Sequence, residues 1–151
     1  MTEEKYVFNS HDDIVKYLVI KFGELTPLKL QKGLYFLYAY YGALYGSKKA
    51  DGELEENFQM PKELFPADFE AWTYGPVIRE VYRKYNQKQY DKIEIEDSLV
   101  EEISNKYPKA IDFINDMFEQ INSLSDFTLV DRSHEDKSWS DAYSKGKSTI
   151  I

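Results

Sequence analysis

One stretch constrains this chain more than any other: "LTPLKLQKGLYFLYAYYGALYGS", residues 25–47. Thr26 can cap a helix, Pro27 suits the first helical position, where its missing N–H costs nothing, and Gly46 can end the run. Leu30, Leu34, Leu37, Tyr41 and Leu44 recur at helical spacing, and Tyr35, Phe36 and Tyr38 fill much of the remaining circumference. A helix that is apolar nearly all round is a buried, central one, and other elements must wrap it. Gly33 and Gly42 lie inside this helix. Either each lowers its stability by up to about 1 kcal/mol relative to Ala, or they mark close helix–helix approach.

The flanking sequence supplies the wrapping. In "FNSHDDIVKYLVIKFGEL" Ser10 caps, Asp13 completes a capping box, Gly23 offers a left-handed stop, and Ile14, Tyr17, Leu18 and Phe22 form one stripe. His11 falls in the first turn and reads as an exposed residue there. Residues 48–69 have no sustained period and read as a long loop. Phe69–Tyr74 suits an extended conformation. Gly75-Pro76 is a turn signal, with Pro76 opening a helix that buries Val77, Val81 and Tyr85 and sets Ile78 and Tyr82 beside them. "DKIEIED" (91–97) alternates as a short strand or an irregular link. Ser98 with Glu101 forms a second capping box, for a helix carrying Leu99, Ile103 and Tyr107. Pro108 starts another, with Ile111, Ile114, Met117, Phe118 and Ile121 inward. "SDFTLVDRSH" is capped by Ser125, and "KSWSDAYSKG" is a last helix ending near Gly146. These seven helical segments predict a mainly α fold, a single compact domain over residues 1–151, with at most a short β element near 69–74 or 92–96.

Composition excludes several classes of function. The formal net charge is −8 and the pI about 4.8, so a phosphate backbone repels the chain; the charge suits a basic protein partner, or serves simply to keep the chain in solution. No cysteine is present, which removes thiolate chemistry and every Cys-based zinc pattern. No apolar run reaches the roughly 18 residues a membrane span needs. "MTEEKYVFNS" has no basic or apolar leader region, so the expected location is cytoplasmic. With 13 Tyr, 9 Phe and 2 Trp, the chain is rich in side chains that serve equally in a core and in a contact surface.

The most suggestive polar stretch, "DRSHEDKSWSDAY" (131–143), does not carry chemistry on inspection. His134, Glu135 and Asp136 are consecutive, so on a helix they point apart and cannot share an ion, and two His at i and i+4 are absent. No nucleophile elbow or phosphate-cradling glycine loop occurs. "GKST" at 146–149 lacks the upstream glycine, position 141 being Asp. Ser133 is better placed as a cap than as a nucleophile. The residues favour a binding module over an enzyme, with no metal, no catalytic residue and no cofactor.

Three segments taken together resemble the Panacea antitoxin family, the SocA-like or GepA-like phage-associated proteins. "LTPLKLQKGLYFLYAYYGALYG" (25–46) is similar to the family's opening. "FEAWTYGPVIREVYRKY" (69–85) is similar to its central E-A-W-x-Y-G-P-V block. "LVDRSHEDKSWSDAY" (129–143) is similar to its C-terminal block, with a tryptophan five residues after the histidine. The resemblance covers about residues 10–150. Gly33 departs from it where K-L-L-Y would have leucine, Ser138 where proline would precede Trp139, and the loop 47–63 is longer.

The resemblance implies a non-enzymatic, mainly helical antitoxin of a bacterial, phage or prophage toxin–antitoxin system. Its partner is a cognate toxin protein, encoded by the adjacent gene and neutralised by direct binding. The SocA branch acts instead as an adaptor that hands its toxin to a ClpXP-type protease. The alternative function is therefore a protease adaptor, or a phage regulator that binds a client or host protein. No nucleic acid or membrane partner is implied. The candidate partner-binding residues are Trp72, Tyr74, Arg79, Arg83, His134 and Trp139. Arg79 and Arg83, one turn apart, form either a carboxylate clamp or local pairs such as one with Glu80. His134 is expected to hydrogen-bond to the Trp72–Tyr74 block, and Trp139 to pack.

Overall fold

The computed structural model describes residues 5–46, 60–90, 97–146 and 149–150, with the backbone alone for 97–100 and 149–150. Its helices are α1 (His11–Phe22), α2 (Pro27–Tyr41), α3 (Arg79–Asn86), α4 (Asp97–Lys106), α5 (Pro108–Asn122), α6 (Asp126–His134) and α7 (Lys137–Lys145). Three short strands, β1 (Phe69–Trp72), β2 (Gly75–Ile78) and β3 (Thr149–Ile150), form one antiparallel sheet in the order β2-β1-β3. The protein is mainly α.

The fully apolar helix is central, as its pattern requires. Thr26 caps α2 by accepting the Lys29 N–H at 3.1 Å, and Pro27 opens it. Leu30, Leu34, Leu37 and Tyr41 are buried on several sides at once, because α2 packs against α5, α6, α3 and β2. Burying side chains of that size stabilises the fold by about 1.5–3 kcal/mol each. The two internal glycines differ. A Cβ on Gly33 would collide with the Phe118 ring of α5, so Gly33 marks a close helix–helix approach; a Cβ on Gly42 would meet nothing. At Gly42 the helix widens into a π-helical turn, Gly42–Gly46. The extra residue in that turn shifts the stripe, and Leu44, expected inward, is 58% exposed.

The caps and stripes of the other helices follow the sequence closely. Ser10 caps α1 through the Asp13 N–H, Gly23 takes φ +83°, and Ile14, Val15, Tyr17 and Leu18 are buried. Pro108 opens α5, which buries Ile111, Ile114, Phe118 and Ile121, with Met117 partly buried against the same core. Ser125 caps α6 through Thr128 N–H. α4 begins at Asp97, so Ser98 sits inside the helix rather than before it. His11 is half-buried rather than exposed. The expected strand or link at 91–96, and most of the long loop, 47–59, lie outside the described residues.

The β content corrects the sequence reading. Pro76 does not open a helix: Gly75–Ile78 pairs with Phe69–Trp72 in the register Phe69↔Ile78 to Trp72↔Gly75, and α3 starts only at Arg79. Val77 and Ile78 are therefore buried as strand residues, and Val81 is the buried residue of α3. Pro76 is compatible with this edge because its missing N–H leaves no donor unpaired. Residues 149–150 add the third strand beside Glu70 and Ala71, a pairing across some eighty residues of chain that no local pattern announces.

Candidate partner-binding site

An isolated two-stranded hairpin leaves the outer backbone groups of both strands without partners. In this protein, side chains from distant segments take those places. On β2, the alternate residues Pro76 and Ile78 turn their backbone groups toward α2. The Gln31 amide matches Ile78 twice, donating from Nε2 to its carbonyl at 3.2 Å and accepting its N–H on Oε1 at 2.9 Å. Lys32 donates from Nζ to the Pro76 carbonyl at 3.0 Å. Two polar residues in the middle of an apolar helix thus act as a substitute strand.

The other edge is closed by the C-terminal part of the chain. β3 pairs with Glu70 and Ala71. Beyond it, Trp139 Nε1 donates to the Trp72 carbonyl at 2.8 Å, and His134 Nε2 lies 2.9 Å from the Thr73 carbonyl. The Tyr143 hydroxyl shares a hydrogen bond of 3.2 Å with the Thr73 hydroxyl. The rings of His134, Trp139 and Tyr143 stack in series, with centroids 4.3 and 5.0 Å apart.

Gly75 lets the hairpin sit this deep. Its φ of +113° disfavours any L side chain, and a Cβ there would lie 2.8 Å from Lys32 Cε and run into Ser133 Oγ. Ser133 is fully buried inside α6 and donates to the Val130 carbonyl at 2.9 Å. It therefore does not cap a helix; Asp136 caps α7, accepting the Trp139 N–H at 3.2 Å. Burial, together with the nearby Asp136 carboxylate, raises the phenol of Tyr35 on α2 well above its ordinary value.

The outward face of the same hairpin is a rigid aromatic and charged platform. Arg79 grips the Glu70 carboxylate with two bonds, Nε to Oε2 at 3.1 Å and Nη2 to Oε1 at 2.8 Å. Glu70 Oε1 also accepts Trp72 Nε1 at 3.0 Å, and the Arg79 guanidinium stands 5.3 Å from the Trp72 ring centroid. The Tyr82 and Trp72 rings meet in an edge-type contact with centroids 5.1 Å apart, and Tyr74 at the hairpin tip is 64% exposed. A bidentate arginine pair and a cation–π contact fix orientation as well as adding energy. The Arg79 hydrogen bond holds the Glu70 carboxyl below its ordinary range.

The structure separates the predicted site residues. Trp72 and Arg79 share the platform, and Tyr74 stands exposed at the hairpin tip. Arg83 does not join Arg79 in a clamp: it pairs with Glu80 at 2.6 Å and bonds Gln87 at 3.2 Å. His134 reaches the Trp72–Tyr74 block as expected, and Trp139, only 8% exposed, packs beneath it. Sequence reasoning missed Gln31 and Lys32. The signal was two adjacent polar residues in an otherwise apolar helix. Lys32 is fully buried, and burial alone lowers its amine to about 7. Among the described residues, no three His, Asp or Glu side chains converge as a metal site requires, and no helix is long and apolar enough to cross a membrane.

These features define a small, mainly helical domain organised around a hairpin whose edges are closed by side chains. The profile of the antitoxin SocA-like, Panacea domain family matches residues 30–140, a span that runs from the helix holding Gln31 and Lys32 to Trp139. The chain belongs to that family. Comparison with curated proteins and with solved structures gave no match.

Proposed function

We propose that the protein is the antitoxin of a toxin–antitoxin system and neutralises a toxin protein by binding it directly. The observation that carries this reading is the platform on the hairpin's outward face, joined to membership of an antitoxin-like family. Trp, Tyr and Arg side chains dominate the energetics of protein interfaces, and anchors already held in place lose little freedom on binding. Trp72, Tyr74 and Arg79 are assigned as contact residues, with Tyr82 beside them and Arg83 at the margin. His134 and Trp139 act by holding the hairpin in place.

Growth rescue tests the reading. The toxin candidate is the reading frame beside this one, expressed from a tightly controlled promoter with and without this protein. The expected result is killing by the neighbour alone, and restored colonies when this chain is co-expressed. Tyr74→Ala and Arg79→Ala should each reduce rescue while remaining folded. Killing that the wild-type chain does not relieve would overturn the proposal.

A further inference from the structure

We propose that the cleft adjoining the platform receives a lysine or arginine side chain of the partner protein, an inference that rests on the reading of direct protein binding above. The cleft has a volume of about 520 Å³ and lies between the N-terminal segment, the end of the long loop and the start of α3. Glu70 and Arg79 line it and also hold Trp72, so cleft and platform form one continuous surface. A partner segment that covers the Trp72 face therefore passes the cleft mouth.

The charges on its wall select the occupant. Glu70 is neutralised by Arg79, and Glu80 by Arg83. Glu63 and Asp68 also line the cleft, and neither forms an ion pair with another described residue. Glu63 instead accepts the Tyr38 hydroxyl at 3.1 Å. Burial, then Glu63, with smaller contributions from Tyr6 and last from Asp68, pushes the Tyr38 phenol up to about 12. Tyr6, Pro66 and Ala67 provide apolar wall beside these carboxylates. A long basic side chain matches this arrangement, its methylene stem lying along apolar surface while its head meets the two carboxylates. The net charge of −8 favours a basic partner in the same sense.

The test uses the full chain and needs no toxin. The probe is N-acetyl-arginine methylamide, titrated into isotopically labelled protein while backbone amide shifts are followed. N-acetyl-norleucine methylamide serves as the uncharged control. The arginine probe should shift Tyr6 and the amides of residues 63–68 saturably. The affinity should fall at least fivefold between about 20 mM and about 500 mM salt, where screening shortens to a few ångströms. The double variant Glu63→Gln/Asp68→Asn should lose the shifts while keeping its melting temperature, because the amide oxygen introduced at position 63 can still accept from Tyr38. Shifts that are absent, spread over other acidic surface, matched by the control or retained in the double variant would overturn the assignment. If neutralisation holds and the probe fails, only the cleft assignment falls. If the probe binds as described and neutralisation fails, the cleft chemistry stands and the antitoxin reading falls.

Discussion

The two faces of the β1–β2 hairpin are made of similar residues put to opposite uses. Beneath it, Trp139, Tyr143, His134, Gln31 and Lys32 hold the strands by their backbone or turn atoms. Above it, Trp72, Arg79 and Glu70 bind one another, and Tyr74 and Tyr82 stand in solvent. One tryptophan is a buried donor to a carbonyl; the other is a half-exposed ring under a guanidinium. A conspicuous motif therefore does not say which face it serves. What separates the two roles is the partner of each polar atom: below, main-chain atoms take all but the Tyr143 hydroxyl, which meets that of Thr73; above, the partners are side chains.

That division can be broken from the lower face with the largest effect. Gly75→Ala adds a methyl against Ser133 and Lys32 at a φ of +113°. Backbone strain and overpacking each cost about 1–3 kcal/mol. The expected loss of several kcal/mol is measurable by urea denaturation, and binding of the proposed toxin partner should fall in proportion to folding. An unchanged midpoint would show that the hairpin is not locked from beneath.

Lys32 gives the next largest effect, seen as a pH dependence. Its amine falls from an ordinary value of about 10.5 to about 7 in the folded state. Between those values the unfolded chain holds the proton and the native chain does not, so stability rises with pH across that window, by a few kcal/mol. Above about pH 10 the buried phenols of Tyr17, Tyr35, Tyr41 and Tyr90, all raised on folding, reverse the trend. In Lys32→Met the rise between pH 7 and 9.5 should disappear. The same slope in both proteins would remove Lys32 as its source.

On the upper face the expectation inverts. Tyr74→Ala should leave stability within about 0.5 kcal/mol yet weaken toxin binding by about 2 kcal/mol, roughly thirtyfold, if Tyr74 is an interface anchor. Calorimetric titration alongside thermal melting reads both quantities. Equal loss of stability and binding would erase the distinction between the faces. The smallest effect belongs to a site outside the comparison: Ser125→Ala removes the α6 cap and should cost about 1 kcal/mol, with affinity for the proposed partner unchanged.

How much of this could be read from the sequence follows from the range of the interactions. Caps and starts at Ser10, Thr26, Pro27, Pro108 and Ser125 are decided within four residues and were legible. So was the central position of α2, because its pattern is cylindrical. β2 was not legible. Val77, Val81 and Tyr85 have helical spacing, and only pairing with Phe69–Trp72 and the amide of Gln31, 47 residues away, draws 75–78 into a strand. Ser133 reads as a cap because serine near a helix end usually is one; the glycine packed against it lies on another element. Of the candidate site, Trp72, Tyr74, Arg79, His134 and Trp139 could be named from the sequence, whereas Gln31, Lys32 and the division between two faces could not, since the exposure of an aromatic ring depends on what folds over it.

The contact between Gly33 and the Phe118 ring bears on how far this domain can be taken apart. The bulk that a leucine at position 33 would provide is supplied here from the facing helix. The two positions consequently share a single allotment of space, and neither can be chosen alone. A chimera that imports α2 with leucine at 33 but keeps Phe118 would force the two helices apart, and the reverse exchange would leave a void. Positions 33 and 118 therefore have to be exchanged together, and because α2 also carries Gln31 and Lys32, replacing it would also replace the holdfast for the hairpin.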